Sequence, residues 1–257
     1  YQGDTSFLAK FDRTGRKLWT TQWGTDGSDA WKDVKVDTSG QIYIVGRTGG
    51  GVGFHGDVVV AKFSTDGSRQ WLQRLHVSDE ENDAHSLHID VEGNVYIVGH
   101  AGDPDINSDV LIAKFDNVGT LLWTQVLGSS LRDSGLFITT DPEGAVYIAG
   151  RGGLGADVLA PEDCFIAKFD SNGVEQWSHQ LDITTGDFGH GITLDSNRNI
   201  YVAGERGEPG VWSDFLLVKF DQEGVKQWER QFGTRGYDAA NTLVIDSQDN
   251  VYIGGYA

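Results

Sequence analysis

Short apolar runs alternate along the whole chain with polar turns rich in Asp, Ser, Asn and Gly. Residues 35–46, KVDTSGQIYIVG, hold two β-branched runs around such a turn. Residues 57–75, DVVVAKFSTDGSRQWLQRL, hold two more. Both patterns predict β-hairpins, and no stretch has the spacing of an amphipathic helix.

Both hairpins recur in register five times, with a period near 52 residues. A Tyr and a Gly mark the first hairpin, and a Lys and a Trp mark the second. A period near 50 residues is typical of propeller blades and not of helical repeats. The repeated positions of the second hairpin are Trp19, Trp71, Trp123, Trp177 and Trp228, with Lys10, Lys62, Lys114, Lys168 and Lys219.

The chain opens with the second hairpin of a unit and ends with the first hairpin of one. We label the strands of a blade A to D from the central channel outward. We then predict an all-β fold, a five-bladed β-propeller of four-stranded antiparallel blades. The N-terminal C–D strands would pair with the C-terminal A–B strands, which leaves no bare sheet edge. Residues 1–257 would form a single domain of five repeats.

The repeated Trp follows the C–D turn, where a large ring can cover the space between neighbouring blades. We therefore interpret the five tryptophans as packing residues and not as a ligand box. The repeated Lys lies near the Asp that ends each inner strand, and we predict ion pairs such as Asp37 with Lys62.

Charge and composition narrow the possible partners. The net charge is −18 and no Lys/Arg cluster exists, so nucleic acid and anionic lipid are poor partners. No apolar run approaches the ~20 residues that span a bilayer. Cys164 is the only cysteine, which excludes an internal disulfide, and we interpret it as a small buried apolar residue.

The recurring segments AKFD, GxxxW and IDxxGNVYIxG resemble the SBBP repeat, a bacterial β-propeller repeat, over essentially the whole chain. The segment FDRTGRKLWTTQWG is also similar to the tryptophan-docking motif of quinoprotein propellers. The first resemblance implies a propeller fold and a secreted or cell-surface bacterial protein with no shared activity. Its name implies seven blades, whereas this chain has five units.

One Asp precedes each inner strand, and the five together would form a ring around the mouth of the channel. Such a carboxylate can cap its own loop by accepting backbone N–H bonds. The alternative is a cation site, with calcium the candidate, because hard cations take several oxygen ligands. No D-x-D-x-D-G loop is present. The residues concerned are Asp29, Asp83, Asp133, Asp187 and Asp238.

Function is expected where the units differ, because shared residues explain the shared fold. The B–C connections vary most, and aromatic and histidine residues that are not repeated gather on their face. Aromatics in loops on a rigid scaffold are typical of binding surfaces, although each could instead pack under its own loop. The ligand-binding candidates are Trp31, Phe54, His55, His85, Phe188, His190, Trp212 and Tyr237.

The preferred function is therefore a non-catalytic binding or scaffold module outside the cytoplasm, on the cell surface, secreted or periplasmic. It would be monomeric as a domain, by itself or within a larger chain, and would recognise a glycan or a protein. The alternative is a glycoside-hydrolase-like enzyme with paired carboxylates at the channel mouth. Asp33, an inner-strand acid without a counterpart in other units, is its candidate. A purely structural spacer is the third hypothesis.

Overall fold

Twenty β-strands, all paired antiparallel to their sequence neighbours, make up the computed structural model of this protein. Their residues alternate as the sequence pattern predicts, and the all-β prediction is confirmed. The structure describes residues 5–25, 27–49, 56–129, 132–152, 164–181, 188–207 and 212–257. The strands are β1 (Ser6–Phe11), β2 (Lys17–Trp23), β3 (Ala30–Val36), β4 (Ile42–Arg47), β5 (Val58–Phe63), β6 (Arg69–Leu75), β7 (Asn82–Ile89), β8 (Val95–Asp103), β9 (Asn107–Phe115), β10 (Leu121–Leu127), β11 (Ser134–Thr140), β12 (Val146–Arg151), β13 (Cys164–Phe169), β14 (Glu175–Leu181), β15 (Phe188–Leu194), β16 (Ile200–Arg206), β17 (Asp214–Phe220), β18 (Lys226–Phe232), β19 (Ala239–Ile245) and β20 (Val251–Tyr256).

Four sheets have four strands each, in the order A to D: β3–β6, β7–β10, β11–β14 and β15–β18. The terminal hairpins, β1–β2 and β19–β20, are separate two-stranded sheets. The structure thus has six sheets where the sequence predicts five, and the predicted pairing of the two ends is not confirmed. Each terminal hairpin nevertheless packs on its neighbouring blade, β1 beside β3 and β19 beside β16.

The A–B turns are fixed by the Asp that ends each inner strand. Asp37 Oδ1 accepts the backbone N–H groups of Ser39 and Gln41, each at 2.9 Å, and its Oδ2 accepts the Tyr43 hydroxyl at 3.3 Å. Burial and the Asp37 charge raise the pKa of Tyr43 to about 12. The turn is therefore an Asx-turn. The same Tyr–Asp bond recurs in the other hairpins, at 3.1–3.4 Å.

Neighbouring blades are joined through the C–D turn. The Trp71 ring lies on Gly119, where an added Cβ would stand 2.9 Å from Trp71 Cδ2. Trp71 Nε1 and Lys62 Nζ both donate to the Asn117 carbonyl, each at 3.2 Å. Gly119 has φ +90°, which a side chain rarely adopts. Each C–D hairpin thus carries both halves of one contact. Its Lys and Trp contact the C–D turn of the next blade, and its own turn is contacted by the Lys and Trp of the previous blade.

The predicted pair of Asp37 with Lys62 is wrong, because the next blade's turn carbonyl takes the lysine. Lys62 also lies 5.0 Å from the Tyr43 ring centroid. An Asp–Lys pair of the predicted kind forms in the fourth blade, where Lys219 Nζ lies 3.2 Å from Asp195 Oδ2.

The core lies between successive blades and not inside any one of them. One cluster joins the first and second blades, and two more continue it to the third and fourth. Cys164 is buried in the last of these, and its Sγ lies against Gly189 of the next blade. This placement agrees with a packing role for the single cysteine.

Candidate functional site

The mouth, the end of the blades where strand A begins and strand B ends, is shaped by a repeated β-bulge. In every inner strand the pairing register shifts by one residue near the mouth. A bulge leaves one residue unpaired and turns its side chain, and bulges are frequent beside functional sites. Four residue types occupy the bulged position in the five units: Lys32, His85, Leu136, His190 and Asn241.

A second variable position lies beside the bulge, at the residue after the Gly that closes each A–B hairpin. It is occupied by Arg47, His100, Arg151, Glu205 and Tyr256 in the five units. Sequence reasoning placed His100 among the histidines of this face but missed the other four residues. The signal was present in YIVGR, YIVGH, YIAGR, YVAGE and YIGGY, where a repeated Gly is followed by a residue that changes charge from unit to unit.

The Asp before the inner strand caps its loop in three described units. Asp133 Oδ2 accepts the Ser129 N–H and Asp238 Oδ2 accepts the Thr234 N–H, each at 2.5 Å. Asp29 accepts the Thr25 N–H in the same way. These contacts are those of the loop-cap interpretation. Across the described ranges no group of three or more His, Cys, Asp and Glu residues could hold a metal ion.

Asp83 does not occupy the capping position, and its assignment to the repeated set is corrected. The loop before β7 is one residue longer than in the other units, so Asn82 takes that place. The Asn82 N–H donates to Gly56 O at 2.9 Å, as the Asp133 N–H does to Ser108 O at 2.7 Å. Asp83 instead pairs with His100 in the β7–β8 register.

His85 and His100 form a stacked pair at the mouth. His85 Nε2 lies 3.0 Å from His100 Nδ1, and the ring centroids are 5.2 Å apart. Burial, with the positive charges nearby, lowers the pKa of His85 to about 3 and that of His100 to about 4. Both rings are therefore neutral at physiological pH. Burial raises the pKa of the adjacent Asp83, whose Oδ2 lies 3.7 Å from Lys32 Nζ.

Two predicted aromatics meet on the surface of the mouth. The rings of Trp212, before β17, and Tyr237, before β19, are 5.1 Å apart and nearly perpendicular. Trp212 is 55% exposed and Tyr237 is 58% exposed. Large aromatics that contact each other and still face solvent are typical of recognition surfaces.

Trp31 and Asp33 have structural contacts instead. The Trp31 ring packs on Trp23 at 5.2 Å, in the contact between the first hairpin and the first blade. Asp33 Oδ2 accepts the Ser86 hydroxyl at 3.2 Å and the Leu87 N–H at 3.1 Å, which ties β3 to β7. A carboxylate held in this way joins two blades, and it is a weaker candidate for catalysis than the sequence indicates.

The remaining predicted residues are less informative. His190 Nε2 lies 3.5 Å from Glu205 Oε1 in the fourth blade, whereas the histidine pair belongs to the second. Phe54, His55 and Asp187 lie outside the described residues, as does the side chain of Phe188. In the described part of the chain no helix is long and apolar enough to cross a membrane.

Antiparallel four-strand blades linked by a repeated Trp–turn contact define a β-propeller repeat protein. The family SBBP, Beta-propeller repeat, matches at residues 176–205 and 227–257. The resemblance drawn from the sequence is thus confirmed at these two places, each of which covers the last strand of one blade and the A–B hairpin that follows it.

Comparisons with individual proteins support the fold and say little about activity. Residues of this chain are 27% identical to the regulatory protein FlaEY of Caulobacter vibrioides, over 60% of this chain and 20% of that protein. The chain thus spans a fifth of that relative's length. Sqt1 from Chaetomium thermophilum is similar in structure, with a TM-score of 0.57 and 11% identity over 93% of this chain and 56% of that chain. A glucose dehydrogenase has a TM-score of 0.52 and 10% identity, over 89% and 78% of the two chains. Identities this low show the fold alone.

Proposed function

We propose that this protein is a non-catalytic binding module that recognises a glycan at the mouth of its propeller, outside the bacterial cytoplasm. The observation that carries the proposal is the exposed Trp212–Tyr237 pair. Glycans suit such a pair, because the C–H faces of a sugar ring stack on aromatic rings. A protein partner is the competing ligand class and is an outcome of the test.

The rest of the mouth agrees with this function. The scaffold beneath the loops is a set of rigid, repeated blades, and the variable side chains stand on bulges and loops above it. Rigid scaffolds that display variable loops are a common arrangement for binding sites. The variable polar residues around the mouth can supply hydrogen bonds to sugar hydroxyls.

A glycan array followed by calorimetry tests the proposal, with wild type beside Trp212→Ala and Tyr237→Ala. Either substitution should weaken glycan binding about tenfold or more, since truncating a central aromatic anchor costs roughly 2 kcal/mol. Leu122→Ala is the matched control, because Leu122 is also exposed but lies on an outer strand. Equal glycan affinity in all four proteins, or binding of proteins only, would overturn the proposal.

The same proposal includes a closed ring of five blades in one domain, because the terminal hairpins expose residues that complete blades bury. Phe11 on β1 is 57% exposed, whereas its counterparts in the four complete blades are 0–3% exposed. Tyr252 on β20 is 56% exposed, and its counterparts are 0–5% exposed. Pairing β20 with β1 would cover both residues.

The complete blades fix the register of that pairing. In the first blade Ile42 pairs with Phe63 and Tyr43 with Lys62. The corresponding pairs are Val251 with Phe11 and Tyr252 with Lys10, which continue to Gly255 with Phe7. A cavity of about 230 Å³ lies beside Gly255, at the place that Phe7 would reach.

Cysteine cross-linking tests closure in a Cys164→Ala background. The pair Ala9→Cys and Ile253→Cys occupies facing positions in this register and should oxidise within one chain. The pair Leu8→Cys and Ile253→Cys is the control, because a shift of one residue turns one side chain to the other face. Disulfide-linked dimers, or equal cross-linking of both pairs, would contradict closure within the chain.

A glycoside hydrolase at the same mouth is the alternative, and Asp83 is the observation that favours it. Hydrolases of this type use one carboxyl with a raised pKa as the acid and a second carboxylate. Burial raises the pKa of Asp83, and Glu205 also lies at the mouth. Release of p-nitrophenol from a panel of aryl glycosides by wild type, and its loss in Asp83→Asn, would favour the enzyme. No release by wild type would remove it.

A further inference from the structure

Five side chains of the first three blades form what we call the basic arc: Lys32, Arg47, His85, His100 and Arg151. Two of them are bulged residues and three follow the closing Gly, so consecutive blades bring them to one side of the mouth. The effect of the three cations on the two histidines indicates that these side chains lie near one another. The charges of Lys32, Arg47 and Arg151 all act on both histidines and lower their pKa values.

The charge of the arc is positive after its internal pairs are counted. Arg47 is paired with Glu81, and Lys32 lies near Asp83. Arg151 forms no ion pair with a described residue. A protein with a net charge of −18 thus carries a local surplus of positive charge at its mouth.

Buried side-chain nitrogens of the arc also lack hydrogen-bond partners among the described residues. His100 is 5% exposed, and its Nε2 makes no hydrogen bond with any described residue. Arg151 Nε is buried without a described partner as well. A buried polar atom without a partner is destabilising, so such atoms in one cluster point to a ligand that satisfies them.

An anion fits these features better than a cation does. Arginine presents parallel N–H donors that match the oxygens of a carboxylate or sulfate. A neutral histidine can donate one N–H bond, and the two rings already share one contact between them. A metal ion would be repelled by the positive charge of Arg151, which no described acid pairs with.

We propose that the basic arc binds an oxyanion carried by a sugar ring, a carboxylate or a sulfate, so that the preferred glycan is an acidic one. This inference rests on the proposed glycan-binding function and names its ligand class. The aromatic pair would hold the sugar face, and the arc would select its charge.

Calorimetry with tetragalacturonate, a sulfated galactan oligosaccharide and an uncharged galactan oligosaccharide tests the inference. The acidic probes should bind more tightly than the uncharged one, and the difference should shrink as salt rises. Arg151→Gln should weaken binding of the acidic probe about tenfold or more and should weaken binding of the uncharged probe by a smaller factor. Arg16→Gln is the control, because Arg16 lies in a C–D turn at the opposite end of the blades. The two acidic probes distinguish a carboxylate ligand from a sulfate.

The imidazole signals of His85 and His100 give a second readout by nuclear magnetic resonance. An oxyanion in the arc favours protonated histidine, so saturating acidic probe should raise both pKa values. Equal affinity of wild type and Arg151→Gln, with unmoved histidine signals, would overturn the inference while Trp212→Ala still reports on the proposed function. Loss of acidic binding in Arg151→Gln alone, with Trp212→Ala unaffected, would retain the arc and refute the aromatic site.

Discussion

Acid should destabilise this protein through the buried histidine pair. Lowering the pH from 7 to 5 protonates a free histidine, whose pKa is about 6.5. In the folded protein the pKa of His85 is about 3 and that of His100 about 4, because burial and neighbouring positive charges oppose protonation. The unfolded chain therefore binds more protons in this range, and the free energy of unfolding falls as the pH falls. The charged and titratable groups around the pair are Lys32, Arg47, Arg151 and Asp83.

The size of the loss follows from the two pKa values. At pH 5, roughly 1.5 pH units below the unfolded pKa, the histidine of the unfolded chain is mostly protonated, whereas a folded histidine with a pKa of 3 or 4 is not. Each unit is worth about 1.4 kcal/mol, so each histidine costs about 2 kcal/mol. The pair together should cost about 3–4 kcal/mol, which is a large share of the stability of an ordinary domain. The stability that the neutral pair provides is complete above pH 6.5 and disappears as the pH approaches 4 and then 3.

Denaturant unfolding of wild type and of the variant with His85→Gln and His100→Gln, at pH 7 and pH 5, measures this term. Wild type should lose about 3–4 kcal/mol more than the variant between the two pH values. His76→Gln is a control of opposite sign. His76 is exposed, and its bond to Asp57 raises its pKa, so its stabilising effect is present at low pH and is lost as the pH rises. Equal pH dependence of wild type and the double variant would refute the reasoning.

Three stability predictions follow from the contacts between blades, each measured by denaturant unfolding. Gly119→Ala should cost about 1–3 kcal/mol because of its φ of +90°, and more because the added Cβ meets the Trp71 ring. Gly15→Ala is the control: its φ is +84° and its added Cβ meets nothing within 4 Å, so it should cost only the backbone share. Trp71→Ala should cost about 2–4 kcal/mol, because it removes half of a blade contact, and an unchanged midpoint would refute its packing role. Asp33→Ala should cost about 1–3 kcal/mol by leaving the buried Leu87 N–H unpaired; a loss below 0.5 kcal/mol would show that this tie between blades is dispensable.

The repeated part of the fold could be predicted from the sequence because each repeated residue has one physical task. The Asp, Gly and Tyr of the first hairpin specify its turn, and the Lys and Trp of the second specify the contact with the next turn. Closure could not be settled in the same way. Pairing β20 with β1 depends on two half-blades that meet across the whole chain, and no local pattern reports that meeting.

The candidate site could be predicted only in part from the sequence, for a different reason. Trp212 and Tyr237 stood out because aromatics in polar loops are conspicuous, and they do lie together on the surface. Arg47 and Arg151, which belong with His100, were overlooked because each ends a strand that reads as ordinary core. Only the pairing register shows that they share one place in successive blades.

The bulge explains why the mouth can vary without disturbing the blades. A paired residue on an inner strand must fit between its neighbours on both sides, and its counterparts are accordingly small or apolar at most positions. The bulged residue is released from the ladder, so its side chain is free of that packing requirement. Lysine, histidine, leucine and asparagine all occupy this position in one chain without a change in the surrounding register. Variation at a bulge is therefore compatible with a constant fold.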